Sequence, residues 1–145
     1  MAIPHPALSR NWLAAAVMTA AAAQALGAVG ASDAVDARAY RLDGAQHLYA
    51  IHADRIYRGK LPPLIHAVVV VEVELDARGQ VMETRLVRVP SHAPELALSI
   101  CELIRQASPL PAPTRMGGVR YLETWLVDKS GRFQLDSLTE GQTGE

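Results

Sequence analysis

The stretch AVVVVEVELDARGQVMETRLVRV, residues 67–89, decides the fold class of this chain. Before the turn every second residue is apolar, and Asp76 and Gly79 then interrupt the run. Aspartate bonds turn amides and glycine tolerates positive φ, so the two residues favour a tight turn between antiparallel strands. After the turn Met82, Thr84 and Leu86 alternate with Glu83, Arg85 and Val87. The pattern predicts a β-hairpin whose less charged face packs on a core with Val71 and Val73.

An amphipathic segment before the hairpin is predicted to be a helix over residues 43–59. Asp43 followed by Gln46 resembles a capping box, and Gly59 with the prolines after it is a stop signal. Wound at about 3.6 residues per turn, the helix has one apolar face. That face consists of Ala45, Leu48, Tyr49, His52, Ala53 and Ile56.

A proline-rich segment, SPLPAP at residues 108–113, follows a second predicted helix directly. This helix is expected between Pro90 and Ala107, with Pro94 in its first turn, where proline is tolerated, and with Pro109 preventing continuation. Its apolar stripe consists of Leu96, Ala97, Ile100, Cys101, Leu103, Ile104 and Ala107. Proline fixes φ and favours an extended neighbour. The segment is therefore interpreted as a rigid corner that leads into a strand, VRYLETWLV, at residues 119–127.

The order of elements is helix, hairpin, helix, corner and strand. A second Asp-x-x-Gly turn, at residues 128–131, then precedes a short strand, RFQL. Each helix carries an apolar stripe that must be buried, and helices on one face of a sheet satisfy this need. The predicted fold is α+β, with the order α-β-β-α-β plus a short C-terminal strand. Both helices are expected on one face of a small antiparallel sheet.

The outward face of the predicted sheet is the candidate binding surface. Leu122, Thr124 and Leu126 are expected to point to the core beside Val71 and Leu86, which turns the residues between them outward. The predicted partner-binding residues are Tyr121, Glu123 and Trp125 together with Arg85 and Val87. Exposed aromatic residues are enriched at binding hot spots. In the alternative interpretation, the C-terminal segment around Phe133 folds over the two aromatic side chains.

The segment up to Ala31 differs from the rest of the chain and is predicted to be a secretory signal peptide. One charged side chain, Arg10, precedes an alanine-rich apolar run that ends in small residues. Cleavage is expected after Ala25 or Ala31, and the second is preferred because polar residues follow it. Residues 32–42 are then a flexible mature N-terminus and residues 137–145 a disordered tail. The product is periplasmic and has no stable membrane span; the alternative is an uncleaved inner-membrane anchor with the domain facing the periplasm.

Composition argues against several classes of function. The 14 basic and 15 acidic residues form no block of like charge, so nucleic acid is not an expected partner. Cys101 is the single cysteine, and the chain contains no zinc-spaced cluster or nucleophile motif. No metal, cofactor or catalytic residue is therefore predicted, and His52 and Cys101 are interpreted as packing residues. The alternative is a small secreted enzyme whose active site the sequence does not mark.

Residues 45–127 resemble the C-terminal domains of the TonB and TolA periplasmic proteins. The elements that carry the resemblance are the hairpin VVVEVELDARGQV, the helix APELALSICELIRQA and the corner SPLPAP. The resemblance implies a domain at residues 43–136 that is not an enzyme. Such domains bind other envelope proteins by accepting an extended peptide or a domain face against their sheet; here an outer-membrane protein or self-association is also considered.

Three departures from those transducers argue against energy transduction. About a dozen residues separate Ala31 from Asp43, where the transducers have a long spacer. The apolar segment Trp12–Gly30 contains no ionisable residue, and such residues inside membranes are typically functional. The tyrosine-proline pair common at the start of the TonB domain is also missing.

Overall fold

The predicted hairpin lies within a four-stranded antiparallel sheet in the computed structural model, which describes residues 29–144. The strands are β1 Ala31–Ser32, β2 Ala67–Asp76, β3 Val81–Arg88, β4 Ala112–Pro113, β5 Gly118–Val127 and β6 Phe133–Leu135. The helices are α1 Ala37–Ile51 and α2 Pro94–Gln106, with short 3-10 helices at Ala53–Arg55 and Asp136–Leu138. The sheet order is β3-β2-β5-β6, and β1 and β4 form a separate parallel pair. The predicted α+β class, with two helices and a mainly antiparallel sheet, is confirmed.

Helix α1 begins at Ala37 rather than at Asp43. Its N-cap is Asp36, whose carboxylate accepts a hydrogen bond of 2.8 Å from an amide of the first turn. Asp43 lies inside the helix and accepts a hydrogen bond from the hydroxyl of Ser32 in β1. The capping-box prediction was wrong because an earlier aspartate caps the helix. The second half of the segment predicted to be flexible, residues 32–42, is therefore helical.

The same helix ends at Ile51, well before the predicted stop at Gly59. After His52 and one 3-10 turn, Ile56 has an extended backbone and forms a bridge to Phe133. A residue paired with a strand cannot also be helical, so this contact ends the helical path. Gly59 has a φ of 82° and belongs to the loop that follows.

The proline corner joins the second helix to the hairpin. Helix α2 ends at Gln106, close to the predicted end. The amide of Leu110 then donates to the carbonyl of Gly79 at 2.8 Å, and the hydroxyl of Tyr40 donates to the carbonyl of Pro111 at 2.7 Å. The next two residues form β4, which pairs with β1. The corner therefore contacts the hairpin turn, α1 and the N-terminal strand at once.

The inner face of the sheet packs against both helices in one apolar core. Its buried side chains are Ala67, Val69, Val71, Val73 and Leu75 of β2 and Val119, Tyr121, Glu123, Trp125 and Val127 of β5. The register places Glu123 opposite Val71, so the residues predicted to point outward from β5 face the core. That face assignment was wrong because β5 carries apolar residues on both faces. Leu122, on the outer face, is 47% exposed.

Other parts of the chain cover the β6 edge of the sheet. The amide of Tyr57 donates to the carbonyl of Phe133 at 2.9 Å. The side-chain amide of Gln134, which is 1% exposed, donates to the carbonyls of Tyr57 and Gly59. The loop after α1 therefore lies along the outer side of β6.

The C-terminal segment lies against the same loop. The amide of Leu61 donates to the carbonyl of Gly141 at 2.8 Å, and the amide of Thr143 donates to the carbonyl of Leu61 at 2.9 Å. The amide of Glu140 donates to the side chain of Gln134. As far as Thr143, the tail that was predicted to be disordered thus makes specific backbone contacts.

Candidate functional site

The free edge of β3 is the candidate functional site. Among residues 29–144 this strand pairs with β2 alone, and no strand lies along its other side. Contacts from α2 and the corner hold it in place. The hydroxyl of Ser108 accepts from the amide of Val81 at 3.1 Å, and Nη2 of Arg105 donates to Oγ1 of Thr84 at 3.0 Å. An edge strand leaves a row of backbone amides and carbonyls available for another strand.

Two β-bulges limit the regular part of this edge. The pairing with β2 skips Met82 and Val87, each of which is an extra residue on β3. Both side chains are exposed, Met82 by 63% and Val87 by 52%. Between them residues 83–86 keep a regular ladder. A partner strand can therefore pair over a short span flanked by two apolar side chains.

Charged side chains line the outer face of the sheet beside this edge. Arg85 donates to Oε1 of Glu72 at 3.0 Å, and Arg120 donates to Oε2 of Glu74 at 2.7 Å. Glu83 instead lies directly opposite Glu74. In the part of the chain that the structure describes, Glu83 takes part in none of the ion pairs. The sequence indicated cross-strand ion pairs among Glu72, Glu74, Glu83 and Arg85, and the structure forms the pair of Arg85 with Glu72 but places Glu83 opposite Glu74.

The five predicted partner-binding residues separate into two groups. The exposed residues are Arg85 and Val87, and the buried residues are Tyr121, Glu123 and Trp125, none more than 3% exposed. The expectation that the second group faces outward was wrong. The ring of Phe133 packs on that of Trp125 with 4.5 Å between centroids, as the alternative interpretation proposed for the tryptophan.

Comparison of this chain with protein-family models, with curated proteins and with solved structures gives no match. The resemblance to TonB and TolA domains therefore stays a prediction. Within residues 29–144 no helix is long and apolar enough to cross a membrane. The same residues contain no group of three or more His, Cys, Asp or Glu side chains arranged to hold a metal ion. The function is therefore inferred from the geometry of the chain itself.

Glu123 is a buried carboxylate between the sheet and α1. Its Oε1 accepts from Nε and Nη2 of Arg41 at 3.3 and 3.1 Å, and its Oε2 accepts from the hydroxyl of Ser137 at 2.8 Å. Arg41 also pairs with Asp136 at 3.1 Å. Burial raises the pKa of Glu123 above its usual value, and the hydrogen bonds from Ser137 and Arg41 oppose that shift. The cluster connects the 3-10 turn after β6 to the sheet; sequence analysis missed Arg41 because it lies 82 positions from Glu123.

Two further polar atoms are buried on the inner face. The hydroxyl of Tyr121 and Nε1 of Trp125 have no hydrogen-bond partner among the described residues. The ring of Tyr121 meets that of Tyr40 edge to face at 5.3 Å, and a Cβ at Gly44 would lie 2.9 Å from the Tyr121 hydroxyl. Burial raises the pKa of Tyr121 well above its usual value. Because these groups lie inside the core, they are not accessible to a partner.

His52 and Cys101, which the sequence predicts to be packing residues, are also buried. Nε2 of His52 lies 2.7 Å from the carbonyl of Leu103, and Nε2 of His47 lies 2.8 Å from the carbonyl of Ala107. The carbonyl of Ala107, at the C-cap of α2, lies where the helix offers few amide partners, whereas that of Leu103 also accepts from the amide of Ala107 at 3.2 Å. Cys101 is 4% exposed and belongs to the apolar core. The geometry agrees with the packing roles predicted for both residues.

Proposed function

We propose that this protein is a non-catalytic protein–protein interaction module of the periplasm, which binds an extended segment along the free edge of β3. The partner is an envelope or outer-membrane protein or a second copy of this chain. The predicted signal peptide and the resemblance of the hairpin, helix and corner to TonB and TolA domains support this location and role. Anchoring in the inner membrane, with the domain facing the periplasm, is the alternative location. Energy transduction is not proposed, because the spacer and the intramembrane ionisable residue are missing from the sequence.

The difference between the two sheet edges carries this proposal. The loop around Tyr57 covers the outer side of β6, whereas β3 has no backbone partner on its outer side within residues 29–144. In strand addition, main-chain hydrogen bonds provide affinity and alternating side chains provide specificity. Here the regular span 83–86 provides the main-chain hydrogen bonds, and the exposed side chains of Met82 and Val87 provide the specificity.

The bulges and charges of β3 also affect which partners fit. Such features protect an edge strand from unspecific pairing with other chains. In β3 the two bulges still leave a short regular span, residues 83–86, between them. The edge therefore favours a partner segment whose side chains match this span over one that pairs through its backbone alone.

A photo-crosslinking amino acid at Val87 tests the proposal in intact cells. We expect a covalent adduct from Val87 and none from Leu42, a matched control that is 44% exposed on α1. Adducts that form equally at both positions, or at Leu42 alone, would place the interaction elsewhere on the protein. The mass of the adduct identifies the partner, because a second copy of the chain doubles the mass.

A further inference from the structure

The middle of β3 reads Met-Glu-Thr-Arg-Leu and is chemically symmetric about Thr84. Glu83 and Arg85 flank Thr84 with opposite charges, and Met82 and Leu86 follow as apolar neighbours. A strand with this pattern, paired antiparallel with itself, places acid opposite base and apolar opposite apolar. We infer that the partner at the free edge of β3 is a second copy of this chain, an inference that rests on the proposed binding of a strand at this edge.

A twofold axis determines which residues face each other in such a dimer. Identical strands that pair antiparallel are related by an axis perpendicular to the sheet, so both helix layers lie on the same side. Opposing residues then belong to the same face, and the axis must pass through a residue rather than between two. Thr84 lies on the inner face, opposite Val73, and Arg85 lies on the outer face, opposite Glu72.

The charges select one register among those that the axis allows. With the axis at Thr84, each Glu83 faces Arg85 of the second copy. With the axis at Glu83 or at Arg85, two glutamates or two arginines face each other. Opposite charges across strands are stabilising and like charges are destabilising. Residues 83–85, which face each other in this register, all lie within the regular span 83–86 that the bulges at Met82 and Val87 end on either side.

A second copy supplies Glu83 with a close ion pair, whereas within one copy the nearby cation Arg120 is paired with Glu74 and Glu72. Glu83 lies opposite Glu74 and takes part in no ion pair among the described residues. Arg85 donates to Oε1 of Glu72 through Nε and Nη2, at 3.2 and 3.0 Å, and its side chain is 63% exposed, so Nη1 stays available to a second carboxylate. In the Thr84 register Arg85 of each copy faces Glu83 of the other copy, so this ion pair forms twice, once on each side of the axis. Charge-assisted hydrogen bonds of this kind are among the stronger polar contacts.

Helix α2 extends the contact on the inner side of the sheet. Nη2 of Arg105 donates to Oγ1 of Thr84, so this end of α2 lies beside the edge, and Leu98, Glu102 and Arg105, at i, i+4 and i+7, share one face of the helix. Leu98 is 67% exposed, and Oε2 of Glu102 lies 3.8 Å from Nη1 of Arg105. The interface is small against the roughly 1,200 Å² of stable complexes, so we expect a dimer that depends on concentration.

Two opposite charge reversals test the register. Glu83→Arg leaves arginine at both positions 83 and 85, on either side of Thr84, and Arg85→Glu leaves glutamate at both. Like charges then face each other in either homodimer, and sedimentation equilibrium of the protein purified from cells should show association weakened by about tenfold or more. A 1:1 mixture of the two variants should recover the dimer, because arginines of one face glutamates of the other. Arg38→Glu, at an exposed position on α1, is the matched control and should keep wild-type association.

Each outcome decides for or against the second copy. Glu83→Arg also removes the repulsion from Glu74, so thermal unfolding of this variant should begin no earlier than in the wild type. Recovery of the dimer in the mixture supports the register, whereas a wild type that is monomeric at every concentration, or a dimer that neither reversal weakens, overturns it. The proposed function is judged separately by the crosslink at Val87. An adduct with a different protein beside a monomeric wild type retains edge binding and refutes the second copy, whereas no adduct and no dimer refute both.

Discussion

Gly79→Ala and Gly131→Ala make the same change in two turns of the same Asp-x-x-Gly pattern. Both glycines have a φ of 83°. Their surroundings differ, because a Cβ at Gly79 would lie 2.0 Å from the carbonyl oxygen of Leu110, whereas a Cβ at Gly131 would meet nothing within 4 Å. The two substitutions therefore separate the cost of the backbone conformation from the cost of the contact with the proline corner.

The expected losses in the free energy of unfolding follow from these contacts. Alanine at positive φ costs about 1–2 kcal/mol, and both variants bear this cost. At Gly79 the new methyl group must also displace the corner, which breaks the 2.8 Å hydrogen bond from the amide of Leu110 to the carbonyl of Gly79. Leu110 is 0% exposed, and a buried amide without a partner costs about 1–3 kcal/mol. We expect a loss of about 1–2 kcal/mol for Gly131→Ala and about 2–5 kcal/mol for Gly79→Ala.

Urea unfolding followed by circular dichroism measures both losses. The midpoint should fall further for Gly79→Ala than for Gly131→Ala, with an unchanged m-value in each case. Equal losses, within about 0.5 kcal/mol, would mean that the contact between corner and hairpin does not stabilise the fold. A larger loss at Gly131 would refute the reasoning outright.

Three further perturbations test the core, the buried carboxylate and the N-terminal strand. Trp125→Ala should lower the free energy of unfolding by about 3–5 kcal/mol, because the side chain is 0% exposed, whereas Leu122→Ala on the outer face of the same strand should cost about 1 kcal/mol or less; similar losses would refute the observed face assignment. The pKa of Glu123 is raised in the folded state, so the wild type loses stability as pH rises from the usual glutamate pKa through the raised value. Glu123→Gln should remove this loss, and an equal dependence of unfolding free energy on pH in both proteins would contradict the argument. The sequence favoured cleavage of the predicted signal peptide after Ala31, but Ala31 pairs with Ala112 of β4, so we now propose cleavage after Ala25, which leaves β1 intact; a mature chain that begins directly after Ala31 by mass spectrometry would contradict this.

Several local elements could be predicted from the sequence because they depend on residues close together in the chain. The hairpin, both Asp-x-x-Gly turns and α2 from Pro94 follow from apolar periodicity, turn residues and proline. The bounds of α1 were less predictable. Asp36 and Asp43 both suit a helix start, and only the folded chain shows that Asp36 caps the helix while Asp43 lies inside it and contacts Ser32.

The sequence by itself determined the α+β class, the order of the main elements and the inner face of β2, where one row is entirely apolar. The tertiary structure decided which face of β5 is buried, since both its rows carry large apolar side chains and only pairing with Val71 selects Glu123 and Trp125 for the core. It also decided that β6 is covered while β3 is left free within the described residues, and that Gly79 meets Leu110. The physical reason is that these features arise between segments far apart in the chain, where no local period or propensity distinguishes one arrangement from another.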